Sequence, residues 1–159
     1  MTSWRQHPKL QGRFHPEFPD DLQVIAHDGH PRISGHGAEL VWVRVSAAEG
    51  DVFRGKILNT PVRLTSVAEG TEILFIIPDA GEHPLHVSAQ YLAQRGSWRL
   101  LMPCQKCGLT ELLSPARDLF RSTFPSLGDD PLEKGFTLTT KCGWCGGGQV
   151  VRIKRVPLA

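Results

Sequence analysis

A mainly β (α+β) fold class is what this sequence predicts, on three observations. Short apolar runs with period-two alternation recur between residues 39 and 87, each closed by turn residues. Two copies of C-x-x-C-G, at 104–108 and 142–146, sit between further strand-like runs. One segment alone, 114–125, carries helix signals.

Residues 1–38 hold five of the seven histidines and four of the twelve prolines, with one short apolar piece from Leu22 to Ala26. They are read as a wrapping segment with room for one strand, packed on the body through Phe14, Phe18, Leu22, Val24 and Ile25. Residues 39–96 form the next unit. In "ELVWVRV", Val41, Val43 and Val45 alternate with Trp42 and Arg44, and a Glu-Gly-Asp turn leads into "VFRGKIL". Asn59-Thr60-Pro61 breaks the run before "VRL", and a second Glu-Gly turn feeds "TEILFII". Close-spaced short strands of this kind predict a small SH3-like barrel, with Val41, Val43, Val45, Ile73, Phe75 and Ile77 pointing inward.

In residues 97–159, "SWRLLMP" reads as a strand into the first cysteine turn and "LTELL" as one out of it, while "GFTLTT" and "GQVVRIKRV" flank the second. Between the turns Ser114 suits an N-cap, Pro115 the first helical position and Asp118 the first turn, with Ala116, Leu119, Phe120 and Phe124 on one face.

The cysteines carry the strongest chemical signal. Cys104, Cys107, Cys142 and Cys145 are all the cysteines in the chain, and each pair is followed by a glycine that can take the positive φ closing the turn. A thioredoxin-like redox pair needs one C-x-x-C opening a helix, whereas here there are two and one is followed by "GGG". Disulfides suit secreted chains, and residues 1–20 lack the apolar run of a signal peptide. The expectation is one structural zinc ion on four thiolates, in a zinc ribbon carrying an inserted helix over 114–125, with no coordination position open to substrate.

The order "VWVRV", "GDVFRGKILNTPV" and "VAEGTEILF" resembles the small bacterial domain of unknown function of the YegJ-like type, over about residues 36–95. That group is similar in its W-V-R-V-type strand, in a glycine-containing strand ending Leu-Asn-x-Pro and in an E-G-D-x-V-x-F strand; the match departs near "SAQYL", and the four-cysteine module lies outside it. The resemblance implies architecture, and weakly an immunity-type or partner-binding role.

Composition is ordinary for a soluble globular chain, at 40% apolar and 21% charged, and the longest apolar stretch, "ILFII", falls far short of the roughly 20 residues of a membrane span. A cytoplasmic, reducing location is expected, with no membrane partner. The formal charge of +2 divides unevenly, −3 over residues 1–87 and +5 over 88–159. Four thiolates around a divalent ion lower the second figure by 2, so the basic character is modest.

Other constellations are weaker. His27 with His30, and His83 with His86, could in principle form a second metal site, but i and i+3 point to opposite faces of a strand and Pro84 excludes a regular helix. Asp20-Asp21 and Asp129-Asp130 read as capping or solvated turns. Walker, Rossmann and G-x-S-x-G patterns are absent from the sequence.

The leading expectation is therefore a non-enzymatic, zinc-stabilised module that binds a protein partner, as an adaptor, regulator or immunity-type protein. Trp42, Phe53 and Trp144 are its candidate contact aromatics. The alternative is a nucleic-acid-binding zinc ribbon using Lys106, Lys141, Arg152, Lys154 and Arg155 with weak affinity, and a metal-dependent enzyme stands third.

Overall fold

A computed structural model of the chain describes residues 3–81 and 83–155. It is mainly β: a closed five-stranded barrel, a three-stranded sheet and a few short helices. The barrel strands are β1 (Asp21–Ala26), β2 (Glu39–Glu49), β3 (Val52–Ile57), β4 (Glu72–Ile76) and β5 (Leu85–Val87). They follow one another as antiparallel neighbours, and β5 closes on β1 in parallel through Ile25 and Leu85. A meander with an odd number of strands can close only on a parallel pair.

Alternation decides the inside of the barrel. Val41, Val43 and Val45 of β2 face Leu22 and Val24 of β1 and Phe53 and Ile57 of β3, and Ile73 and Phe75 complete the ring with Ile77. All six residues expected to point inward are buried. Gly55 on β3 lies opposite Val45, and a Cβ there would strike Val43 and sit 2.8 Å from the Arg44 carbonyl oxygen. The outward side chains Asp21 and Arg44, paired across β1 and β2, form a bidentate contact at 2.9 and 3.2 Å. Leu10, at the end of a short 3-10 helix, and Leu64, in a loop, plug the barrel, so the N-terminal segment contributes both a strand and a stopper.

Two carboxylates hold the loop after β3. Glu39 accepts from the N–H groups of Val62, Arg63 and Leu64 at 2.8, 2.7 and 3.2 Å, and Asp28 accepts from the N–H groups of Thr65 and Ser66 at 2.9 and 3.0 Å. Burial opposes ionisation of Asp28, but the hydroxyls and amides of Ser66 and Thr65 outweigh it and hold its carboxyl at about 2.

The second sheet runs β6 (Trp98–Met102), β8 (Gly148–Ile153), β7 (Phe136–Lys141), all antiparallel. The helices are α1 (Pro31–Ser34), α2 (Ala89–Gln94), α3 (Ala116–Thr123) and α4 (Asp130–Glu133). Helix α3 buries Ala116, Leu119 and Phe120, while Phe124 and Phe136 pack ring to edge at its end. These residues share one core with Ile25, Ile76, Leu85 and Val87 on the outside of the barrel and with Trp98, Leu138, Val151 and Ile153 of the sheet. Barrel and sheet are thus joined by apolar packing.

Two local expectations fail. "LTELL" is not a strand: Leu109, Leu112 and Leu113 leave the cysteine turn as irregular chain and are buried individually. Ser114 does not cap α3, whose N-cap residue is Pro115 without a side-chain bond; its hydroxyl instead accepts the N–H of His30 at 2.8 Å. Val156, the last residue of the run expected around β8, lies outside the described residues.

Candidate metal centre and its surroundings

The two C-x-x-C-G turns adopt one geometry. Gly108 donates to the Cys104 carbonyl and Gly146 to the Cys142 carbonyl, each at 2.9 Å, with φ of 78° and 81° at the two glycines. Both turns are stapled at the base, Cys104 N–H to Leu109 O at 3.1 Å and Cys142 N–H to Gly147 O at 2.6 Å. Gln105 N–H bonds Gly148 O at 3.1 Å and ties one turn to the other.

This brings the four sulfurs together, all within 4.8 Å of one another. The close pairs run across the turns, Cys104 to Cys145 at 3.2 Å and Cys107 to Cys142 at 3.8 Å. An ion with four sulfurs at about 2.3 Å in a tetrahedron sets them roughly 3.8 Å apart, so the cluster is compatible with a metal ion. Backbone N–H groups from inside the turns point at the sulfurs: Lys106 and Cys107 at Cys104, and Trp144 at Cys142, each at 3.4 Å. Donors of that kind stabilise thiolate charge. Burial works to raise the Cys104 thiol, but the N–H groups of Cys107 and Lys106 and the Cys145 thiol outweigh it and bring it to about 6. Burial pushes the Cys107 and Cys142 thiols up. A cation bound at the centre of such a cluster would take the place of the thiol protons.

The glycine triplet has a spatial reason. Gly146 supplies the positive φ, the Gly148 carbonyl receives Gln105, and a Cβ on Gly147 would lie 2.6 Å from Cys104 Sγ and 2.7 Å from Lys106 Cβ. Only a bare α-carbon lets the turns close on each other.

The candidate contact aromatics behave differently from expectation. Phe53 is fully buried inside the barrel, stacked on Phe75 at 5.4 Å, and cannot reach a partner. The signal was present in the sequence, because Phe53 shares parity with Gly55 and Ile57 and opposes Arg54 and Lys56. Trp42 and Trp144 are half-buried: the His15 ring stands edge-on to Trp42 at 5.3 Å, and Trp144 packs beside the cysteines and edge-on to His83 at 6.3 Å.

Among the cations, Lys106 and Lys141 are exposed beside the two turns. Arg152 is half-buried on β8 and donates to Thr137 Oγ1 at 3.2 Å, whereas Lys154 and Arg155 lie beyond the strand end, with Lys154 N–H bonded to Ser97 O. Of the candidate cations Arg152, Lys154 and Arg155, only Arg152 therefore lies on the strand.

The His27 and His30 rings bond the backbone on both ring nitrogens. His27 Nε2 donates to the His86 carbonyl at 2.6 Å and its Nδ1 accepts from Gly29, while His30 Nε2 donates to the Lys141 carbonyl at 2.7 Å and its Nδ1 accepts from Arg32. Burial, reinforced by the neighbouring His86, lowers His27 to about 3, so its ring is neutral. Among the described residues the four cysteines are the only group of three or more potential ligands close enough to hold an ion. Asp20, Asp21 and Asp129 pair with Arg5, Arg44 and Arg121.

Sequence reasoning missed Arg32 and Arg63. They line a cleft of about 870 Å³ with Lys141 and Trp144, and nothing local marks residues so distant in the chain as neighbours. Among the described residues no helix is long and apolar enough to cross a membrane. Comparison with protein-family models, curated proteins and solved structures finds no match to this chain, so the resemblance of residues 36–95 to the YegJ-like domain rests on its three motifs alone.

Proposed function

We propose that the chain is a non-enzymatic protein-binding module of the adaptor, regulator or immunity type, an SH3-like barrel joined to a zinc ribbon whose single zinc ion is structural. The observation that carries this reading is the sulfur cluster. Four thiolates within 4.8 Å of one another fill the coordination shell of a tetrahedral ion and leave no position at which substrate or water is activated. Cys104, Cys107, Cys142 and Cys145 hold the ion, and its contribution is folding energy and a fixed geometry for the loops around it.

The nucleic-acid reading ranks second, supported by exposed Lys106 and Lys141 beside the turns. It weakens because Arg152 is engaged with Thr137 and a site of charge −2 adjoins both lysines.

Elemental analysis checks the metal, with one zinc per chain expected. Affinity capture from the native host, with and without nuclease, checks the partner. A protein retained after nuclease treatment is the expected result; loss of everything captured on nuclease treatment, or a fully folded protein with four free thiols and no metal, overturns the reading.

A further inference from the structure

We infer that the cleft beside the second cysteine turn is a docking groove for an extended acidic segment of a protein partner, received along the free edge of β7. The inference rests on the protein-binding reading above and names the place and chemistry of the contact.

The edge comes first. In the order β6-β8-β7, strand β7 is paired on one side only. Alternate residues of an antiparallel strand turn their N–H and C=O toward the neighbour, and the others turn them away. Cys142 bonds across the hairpin to Gly147, while the Lys141 carbonyl accepts from His30, which lies outside the sheet. Lys141 and, two residues back, Thr139 are therefore outward-turning, and Thr139 lies on the wall of the cleft. An unpaired strand edge opening on a groove is what an added strand requires.

Charge selects the occupant. The cleft, about 870 Å³, is lined by Arg32, Arg63 and Lys141, and no aspartate or glutamate lines it. All three cations are exposed, and none has an ion pair within 4.0 Å among the described residues. Glu39 feels the charge of Arg63, but its oxygens already serve three backbone N–H groups. Arg32 and Arg63 beside an open strand edge, with Lys141 offsetting the charge of the adjoining cysteine site, complement carboxylates spaced along an extended chain.

The same surface favours peptide over nucleic acid. Ile33 and Val62, the chain neighbours of Arg32 and Arg63, are 45% and 87% exposed, though neither lines the cleft itself. Single-stranded nucleic acid asks instead for successive aromatic platforms, and the cleft offers one half-buried ring, Trp144, already packed against His83.

The test uses the metal-loaded full chain at about 0.15 M salt. The probes are a fluorescein-labelled octapeptide of alternating Glu and Val, the same peptide with Lys for Glu, and an eight-nucleotide oligothymidylate. Anisotropy reads affinity and amide hydrogen exchange reads Thr139. The Glu-Val peptide is expected to bind, to slow exchange at Thr139, and to lose about tenfold or more in affinity in the Arg32→Ala, Arg63→Ala double variant, with the metal content unchanged. No binding, binding without protection at Thr139, binding indifferent to the double variant, or tighter binding of the oligothymidylate each overturns the proposal. Undiminished capture of a protein partner by the double variant sinks this groove alone and leaves the protein-binding reading standing.

Discussion

The barrel and the cysteine end of the second sheet are held together by different physics. Inside the barrel, aliphatic side chains and two stacked phenylalanines fill the space, and ladder hydrogen bonds close the ring. At the cysteine end the corresponding cluster contains only Cys104, Leu109 and Cys142 as buried members. At about 25 cal/mol per Å² of buried apolar surface, so small a cluster contributes little, and the metal ion proposed above would supply the cross-link through the four sulfurs. On that proposal labour is divided: one region is stable through its area, the other through a single point. The shared core of Ile25, Leu85, Leu119, Phe120 and Val151 couples the two.

The sharpest way to break that contrast is to remove the point. Chelation of the proposed ion would forfeit an apparent ~10 to 16 kcal/mol of metal binding, and Cys142→Ser would remove one of its four ligands. Amide signals of residues 98–153 should collapse first, with the barrel following at a lowered melting temperature through the shared core. A Cys142→Ser protein that retains one zinc and melts like the parent refutes the assignment.

The reciprocal change acts on area. Phe53→Ala empties a fully buried site and should cost about 3 to 5 kcal/mol in denaturant unfolding. The cysteine turns should keep their metal in the folded fraction. An unchanged midpoint would return Phe53 to the surface and restore it as a contact residue.

Acid titration separates the regions by mechanism. His27 has a folded-state pKa near 3 against 6.5 for the free side chain, so between those values the unfolded chain takes up a proton that the folded one refuses. Stability from this group is whole above pH 6.5 and falls with decreasing pH by about 1.4 kcal/mol per unit until pH approaches 3. His27→Gln should flatten that slope in urea unfolding measured across the range, and an unaltered slope rules out His27 as its source. Asp28, held near 2, adds a smaller loss below its ordinary value, in the same direction.

A finer probe is Gly147→Ala. Its methyl group would meet Cys104 Sγ at 2.6 Å, and overpacking of this kind costs about 1 to 3 kcal/mol. Zinc competition with a chromogenic chelator should show weaker binding, with barrel unfolding unmoved. The smallest expected effect is that of Arg152→Ala combined with Lys154→Ala and Arg155→Ala. Stability should stay within about 0.5 kcal/mol, and partner capture should remain nearly intact. Loss of capture in this triple variant would revive these three cations as a binding surface.

Particular residues show why some of this was legible in the sequence. The cysteine spacing and following glycines are local, and a turn closed by a positive-φ glycine forms one way wherever it occurs, so the four ligand candidates could be named without a structure. The inward face of β2 was legible because Arg44 marks the opposite parity. Phe53 was equally legible from Arg54 and Lys56, and treating it as a surface aromatic ignored its own strand.

The sequence alone therefore determined the β character, the alternating valines of β2 and the grouping of the cysteines, because each depends on periods or spacings within a few residues. Only the tertiary structure decided that Leu22–Ala26 closes a barrel, that Ser114 serves His30 instead of capping its own helix, and that Arg32, Arg63 and Lys141 face one cleft. Those outcomes join residues up to 111 apart, as in the bond from His30 to Lys141. Local pattern fixes which side chains share a face, and packing of distant segments fixes what that face meets.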